Sequence, residues 1–192
     1  MILKTGHYQI VLASRSPRRQ QLLCEMGIEF TVLEKDFDES FPEGLDGREI
    51  AAYIAKQKAQ SLKNELKGNE IIITADTVVW SNNKVLGKPA DENEAVEMLK
   101  EISGKTHEVI TGVSMISREK ETDFTEVTKV TFEPMTEDEI AYYASVYKPL
   151  DKAGAYGIQE WIGLIACSRI EGSYFNVVGL PVHRVYAELK KF

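Results

Sequence analysis

The stretch from Ile71 to Pro89, IIITADTVVWSNNKVLGKP, constrains the fold more than any other part of the chain. Its run of β-branched residues is typical of a strand that is buried on both faces of a sheet. The asparagines at 82 and 83 tolerate positive φ, which predicts a tight turn and a returning second strand. The hairpin would carry Asp76 on its first arm and Lys88 at the end of its second. On this stretch alone, a site built on that acid and lysine and a core hairpin with ordinary surface charges both stay open.

Length, composition and charge indicate an ordinary globular protein. The chain has 192 residues, of which 43% are hydrophobic and 28% are charged, as is usual for such proteins. No apolar run approaches the about 18 residues of a membrane-spanning helix. The apolar patch near the N-terminus is too short for a signal peptide. Its arginines follow the patch, whereas the positive residues of a signal peptide precede the apolar region. We therefore expect a cytoplasmic protein with no membrane partner, and the net charge of −7 argues against general nucleic-acid binding.

A second polar segment, Ser14 to Arg19, directly follows the predicted first strand. Ser16 suits a helix N-cap and Pro17 the first helical position. The arginines at 18 and 19 would then lie in the first turn, where cations oppose the helix dipole. An anion bound to the free N–H groups would offset this cost, which makes Ser14, Ser16, Arg18 and Arg19 candidate phosphate-binding residues. The alternative is a solvated helix start whose arginines pair with nearby acids.

Charged residues also stand at the ends of other predicted elements. Glu39 lies in the acidic segment 34–43, and Lys58 lies beside the apolar stripe of a predicted helix over 48–66. A lysine in that position is more often a surface residue whose stem covers apolar side chains. Taken with Asp76, Lys88, the two arginines, Lys152 and Gln159, however, these residues suit a bound polyphosphate and a divalent ion.

Several familiar sites are absent from the sequence. It has no Walker loop, no G-x-G-x-x-G fingerprint and no G-x-S-x-G elbow. Hydrolysis of a phosphoanhydride by an activated water therefore fits better than transfer to a serine or cysteine. Three histidines, His7, His107 and His183, are scattered, so a metal would have oxygen ligands, which favours Mg²⁺ or Mn²⁺.

Helical and strand patterns alternate early, and antiparallel pairs dominate the middle of the chain. We therefore expect a mixed α/β fold with a mixed sheet and flanking helices. The predicted strands are 9–13, 29–33, 71–80, 85–86, 106–117, 125–132 and 162–170, and the predicted helices begin near 17, 48, 91, 136 and 181. The segment 171–176 is predicted as a polar loop. Cys24 and Cys167 are predicted as reduced thiols in the core.

The ordered set of motifs resembles the Maf family. They are Ala13-Ser14-Arg15-Ser16-Pro17-Arg18-Arg19, Ala75-Asp76-Thr77, Gly87-Lys88-Pro89, Ser103-Gly104-Lys105-Thr106-His107, Lys152-Ala153-Gly154-Ala155-Tyr156-Gly157-Ile158-Gln159 and Glu171-Gly172-Ser173-Tyr174 through Gly179-Leu180-Pro181. The resemblance spans essentially the whole chain, which implies one domain over 1–192. It also implies a fold like that of inosine triphosphate pyrophosphatases, with a twisted sheet and two lobes around a cleft.

The resemblance further implies the activity. Family members hydrolyse nucleoside triphosphates to the monophosphate and pyrophosphate with a divalent cation, and they were first tied to inhibition of septum formation. One branch prefers dTTP and UTP, and the other prefers 7-methyl-GTP. Asp76-Thr77 and Tyr156-Gly157-Ile158-Gln159 resemble the dTTP/UTP branch, in which residues at Arg19, Thr77 and Gln159 set base choice. A glutamine amide can donate to and accept from the edge of thymine or uracil.

The same resemblance implies the catalytic roles. Asp76 would activate water for attack at the α-phosphorus, while Glu39 and Asp76 would hold Mg²⁺ or Mn²⁺. Lys58, Lys88 and Arg18 would neutralise charge on the phosphates. Where many members continue with glycine after the glutamine, this chain has Glu160-Trp161, whose indole could stack on the base or pack elsewhere.

Two alternatives stay open beside this prediction. One is a nucleotide-sensing regulator of cell division without catalysis, and the other is a pyrophosphatase that prefers 7-methyl-GTP or another purine nucleotide. The sequence does not rank dTTP, UTP and modified pyrimidine nucleotides. It also leaves open whether the role is housecleaning or division control, and whether the chain forms a homodimer.

Overall fold

The computed structural model describes residues 8–192, and this part of the chain contains seven β-strands and seven α-helices. His7 lies outside it. The strands are β1 (Gln9–Leu12), β2 (Phe30–Val32), β3 (Glu70–Ser81), β4 (Lys84–Leu86), β5 (Thr106–Ile116), β6 (Glu121–Phe132) and β7 (Cys167–Glu171). The helices are α1 (Pro17–Glu25), α2 (Gly47–Gln60), α3 (Glu92–Ile102), α4 (Glu137–Tyr147), α5 (Trp161–Ala166), α6 (Tyr174–Val178) and α7 (Val182–Leu189). Short 3₁₀ helices occupy Lys63–Glu65 and Ala153–Ala155.

The strands form one sheet in the order β2-β1-β3-β5-β6-β7, with β4 paired to β3. β1 is parallel to both β2 and β3, whereas the β3–β4 and β6–β7 pairs are antiparallel. The predicted mixed α/β fold with a mixed sheet and flanking helices is therefore confirmed. Among residues 8–192, no helix combines the length and apolar character that crossing a membrane requires.

The chain divides into two compact units. The first comprises the residues up to Asp76 together with Thr111–Glu126 and Gly179–Phe192. The second comprises Thr77–Ile110 and Val127–Val178. The single domain predicted over 1–192 stays a prediction.

In the first unit, apolar faces of β1, β3 and α2 form a core. The core consists of the buried side chains of Val11, Ala13, Ala59, Leu62, Leu66, Ile72 and Ile116. The partly buried Leu33 and Phe37 pack against them. The sequence predicts α2 as far as residue 66, but the α-helix ends at Gln60. A tighter turn follows, in which the Leu62 N–H donates to Ala59 O at 3.0 Å. This i→i+3 bonding keeps Leu62 and Leu66 buried without an extended helix.

The turn of the predicted hairpin and its paired residues, Val79, Trp80 and Ser81 with Lys84, Val85 and Leu86, belong to the second unit. β3 runs without a break to Ser81, so Asp76 lies inside a continuous strand and does not follow its end. Asn82 and Asn83 have φ values of 47° and 58°, as a two-residue hairpin turn requires. The tight turn is confirmed.

The strand predicted over 162–170 is wrong in its first half, because Trp161–Ala166 is the helix α5. A short apolar run does not distinguish a buried strand from a buried helical turn. Gly163 lets α5 lie directly on the preceding loop, since a Cβ at this position would be 2.0 Å from Ile158 O. The predicted polar loop over 171–176 is also corrected, because α6 begins at Tyr174.

The cysteines differ from the prediction in their location. Both are free, but Cys24 is exposed and Cys167 is half-buried. Leu22 and Leu23 form the buried side of α1. Cys24 comes one residue later, and the helical rotation per residue turns its side chain away from the core.

Candidate active site

The parallel strands β1 and β2 end at one edge of the sheet, beside the middle of β3. The Ala13 N–H donates to Ile73 O at 2.9 Å, and the Leu33 N–H donates to Leu12 O at 2.9 Å. The segments that follow β1 and β2 therefore start side by side, near the point where Asp76 lies on β3. Ligands of α/β sheets commonly bind outside the carboxyl ends of parallel strands. This edge is therefore a candidate position for a ligand-binding site.

Asp76 and Lys58 form a buried ion pair at this edge. Lys58 Nζ is 2.7 Å from Asp76 Oδ1 and 2.8 Å from Glu39 Oε1. The Lys58 side chain is 6% exposed and that of Asp76 is 11% exposed, while Glu39 is 43% exposed. Lys58 is thus not the surface residue that its helical position favours. Two carboxylates from distant segments converge on one ammonium group.

The first unit holds Lys58 and Glu39 in place through their own elements. Lys58 lies in the last turn of α2, where a cation is stabilised by the helix dipole. Glu39 belongs to the loop after β2, and Phe37 of that loop packs on the core with its ring 5.9 Å from Lys58 Nζ. In the same loop, Asp36 forms a two-bond ion pair with Arg15, with distances of 2.5 and 3.1 Å. The loop is therefore attached on both sides of Phe37.

The start of α1 lies at the same edge. Ser16 is the N-cap, and its side chain accepts from the Arg19 N–H at 3.4 Å, with Pro17 at the first helical position. The buried Ser14 hydroxyl accepts from the Ser16 N–H at 3.2 Å. The prediction of strand, loop and capped helix is confirmed. Arg18 lies half-buried in the first turn.

Arg19 is fixed by backbone carbonyls. Its Nε donates to Gly179 O at 2.8 Å and its Nη1 donates to Ala75 O at 3.0 Å. Burial lowers the pKa of Arg19, and the charge of Asp76 acts in the opposite direction. The bond to Ala75 holds the guanidinium beside the residue that precedes Asp76. The structure thus brings Ser14, Ser16, Arg19, Glu39, Lys58 and Asp76 together within the first unit.

The remaining predicted site residues belong to the second unit. Thr77 is half-buried on β3, directly after Asp76, while Lys88 and Gln159 are exposed. Lys88 follows β4, and the Gly154 N–H donates to Gly87 O at 3.0 Å. The loop that ends in Gln159 is therefore attached next to Lys88.

Two residues that contact this loop were not predicted. Tyr143 of α4 and Glu160 both bond to it, and Glu160 also pairs with the buried Lys152 at 3.1 Å. The sequence signal for Glu160 was the glutamate itself, directly after Gln159, where the resemblance leads us to expect glycine. The indole of Trp161 packs edge-to-face on Tyr142, with ring centroids 5.0 Å apart.

The donors at the sheet edge fit a hard divalent cation. Among residues 8–192, no group of three or more His, Cys, Asp or Glu residues has the arrangement of a metal site. Mg²⁺, however, commonly takes one or two carboxylates and completes its shell with water and substrate phosphates. Glu39 and Asp76 lie close enough together to contact the same ammonium group, so they can supply the two carboxylates of that donor set.

Comparison with known proteins identifies sequences and structures that are similar to this chain. A family model described as Maf-like protein matches residues 9–192. A dTTP/UTP pyrophosphatase from Bacteroides fragilis is 49% identical over 192 residues, covering 100% of both chains. One from Phocaeicola vulgatus is 52% identical with the same coverage. A crystal structure of a nucleoside-triphosphatase / dITP/XTP pyrophosphatase from Mycobacterium abscessus has a TM-score of 0.43 at 15% identity, covering 66% of this chain and 75% of that chain.

Proposed function

This chain belongs to the Maf family, and from that premise we propose that it hydrolyses dTTP and UTP to the monophosphate and pyrophosphate. Relatives with this printed name match over the full length of both chains. The observation that carries the proposal is the buried Lys58–Asp76 pair beside the carboxyl ends of β1 and β2. Buried charges of this kind are concentrated at catalytic sites, since they are costly to maintain elsewhere.

Asp76 is the proposed general base. Lys58 holds its Oδ1 at 2.7 Å, which fixes the carboxylate and directs Oδ2 to accept a proton from the attacking water. That water forms a bond to the α-phosphorus while the bond to the bridging oxygen of the pyrophosphate breaks. The products are the nucleoside monophosphate and pyrophosphate.

The cations have separate proposed roles. Lys58, Arg18 and Lys88 stabilise negative charge on the phosphates as the leaving group departs. Ser14, Ser16, Arg18 and Arg19 lie at or next to the N-terminus of α1, where backbone N–H groups favour a bound phosphate. Arg19, Thr77 and Gln159 are proposed to select the base.

We also propose that Glu39 and Asp76 hold Mg²⁺ or Mn²⁺. When bound, the ion would offset the charge of the phosphate oxygens and lower the barrier to attack. A cytoplasmic location and a homodimer stay predictions.

A turnover panel tests the proposal. The protein with Mg²⁺ or Mn²⁺ is given dTTP, UTP, CTP, 7-methyl-GTP, ATP and GTP, and products are separated by chromatography. We expect the fastest turnover with dTTP and UTP, giving the monophosphate and pyrophosphate. Folded Asp76→Asn should lose turnover, and if it retains turnover the assignment of the base is wrong. Tight nucleotide binding without turnover by the parent chain would favour the sensor, and a preference for 7-methyl-GTP would favour the other branch.

A further inference from the structure

The loop that carries Gln159 starts at a buried ion pair. Lys152 is 8% exposed, and its Nζ lies 2.7 Å from Asp151 Oδ1 and 3.1 Å from Glu160 Oε1. Two carboxylates at the two ends of the loop thus share one ammonium group. Lys152 therefore joins the start of the loop to the residue that directly follows Gln159.

A buried phenol joins the same carboxylate to the middle of the loop. Tyr143 is 0% exposed, and its hydroxyl donates to Glu160 Oε2. The Gly157 N–H donates to the same hydroxyl at 2.9 Å. The hydroxyl can do both because it donates one hydrogen bond and accepts others. Burial raises the pKa of Tyr143, and the hydrogen bond to Glu160 adds to this effect.

The Glu160 carboxylate also packs against the loop. The Glu160 N–H donates to Gly157 O at 2.9 Å, and a Cβ at Gly157 would lie only 2.8 Å from Glu160 Cδ. Glu160 is the residue before α5, yet its side chain makes no capping hydrogen bond to that helix. Its two carboxylate oxygens instead contact Lys152 and Tyr143.

We propose that Glu160 is a positioning residue for base selection. Its bonds to Lys152 and Tyr143 fix the backbone of Gly157 and so set the position of Gln159. Gln159 is exposed, so packing of its own side chain does not hold it. The direction of the Gln159 side chain towards the edge of a pyrimidine therefore depends on the position of the loop backbone. This role rests on the proposed hydrolysis of dTTP and UTP.

Steady-state kinetics of Glu160→Ala and Tyr143→Phe test this role. We expect KM for dTTP and UTP to rise about tenfold in each variant, as for loss of one hydrogen bond to a charged group, while kcat stays within about twofold. The ratio of kcat/KM for UTP over that for GTP should fall. Because the two residues share the hydrogen bond between them, the double variant should show less than the product of the single effects.

Two further variants separate positioning from general destabilisation. Tyr142→Phe makes the same chemical change on the neighbouring residue of α4, which is 48% exposed, and it should leave KM unchanged. Glu160→Gln keeps an acceptor for Tyr143 but loses the charge that pairs with Lys152, so its KM should lie between those of the parent and Glu160→Ala. If Glu160→Ala does not fold, Glu160→Gln and Tyr143→Phe decide the question.

The outcomes distinguish this role from the proposed function. If the parent chain does not hydrolyse dTTP or UTP, the proposed function fails and the role of Glu160 fails with it. If the parent does so and the folded variants only melt at lower temperature, with unchanged KM and base preference, Glu160 is merely structural. That result would overturn this inference alone.

Discussion

Lys58 is the residue on which the proposed site most depends. Its ammonium group contacts Asp76 and Glu39 at 2.7 and 2.8 Å while the side chain is only 6% exposed. A buried lysine is costly unless it is paired and hydrogen-bonded. Here the pairing fixes the carboxylate proposed as the base and places positive charge where phosphates would bind.

Lys58→Met tests both consequences. Methionine has a similar length but leaves the Asp76 carboxylate without its buried partner, so unfolding free energy should fall by about 3–5 kcal/mol. Turnover should fall about 10²–10³-fold, because one preorganised charge contact is lost. The measurements are urea unfolding and kcat with dTTP.

Lys56→Met is the matched control on the same helix. Lys56 is 52% exposed and pairs with Asp123 at 2.7 Å on the surface. Surface pairs contribute about 0–1 kcal/mol, so this variant should keep nearly full stability and turnover. Equal losses in the two variants would contradict the special role of Lys58.

At the scale of elements, the site depends on how closely α2 approaches the sheet. A Cβ added at Gly112 of β5 would lie 2.1 Å from Ala51 O and 2.8 Å from Ala52 N. Both atoms are backbone and cannot rotate away. Glycine at 112 therefore lets α2, and with it Lys58, lie directly on the strand.

Gly112→Ala should force α2 away from β5. We predict a loss of about 1–3 kcal/mol or more in unfolding free energy, as for overpacked cores, and reduced turnover because Lys58 moves. Gly68→Ala is the control, since its Cβ would meet only Arg118 Nη1 at 3.9 Å. Unfolding curves and kcat of both variants test this prediction. A Gly112→Ala protein with the stability and turnover of the parent would contradict the close approach of α2 to β5.

Elements that depend on local rules were predictable from the sequence. The Asn82-Asn83 turn and the Ser16-Pro17 helix start follow from φ preference and capping, which act over a few residues. α5 was predicted as a strand because a short apolar run fits both structures, and in the fold its Gly163 packs directly on Ile158.

At the scale of the whole molecule, the first unit gathers residues far apart in sequence. Glu39, Lys58 and Asp76 were each predicted as site residues, but the pairing through Lys58 depends on tertiary contacts that periodicity does not encode. The contacts of Tyr143 and Glu160 were missed for the same reason. Charged residues beside apolar runs were thus identifiable as candidates, whereas the fold determines which of them meet.

Acid sensitivity of the fold should trace in part to His107. It is 2% exposed, and burial lowers its pKa from 6.5 to about 4. The unfolded chain therefore binds a proton at higher pH than the folded chain does. Stability is fully present above about pH 6.5 and is lost as pH falls towards 4, by about 2 kcal/mol at pH 5.

Urea unfolding at pH 7 and pH 5 measures this effect. His107→Gln loses the hydrogen bond to Tyr156, which is 2.8 Å long, so it should be less stable at pH 7. Its stability should, however, fall by about 2 kcal/mol less than the parent's between the two pH values. His183→Gln makes the same substitution at a side chain that is 59% exposed, and it is the control for the change of residue type. The same dependence in all three proteins would exclude His107 as the cause.

Hydrolysis in ¹⁸O-labelled water tests most directly whether water attacks the α-phosphorus, as proposed for the site built on Asp76. Products of a single turnover of dTTP would be analysed by mass spectrometry. We predict one ¹⁸O atom in thymidine monophosphate and none in pyrophosphate. Label in pyrophosphate, or release of thymidine diphosphate with labelled orthophosphate, would show that water attacks another phosphorus and would contradict the proposed mechanism.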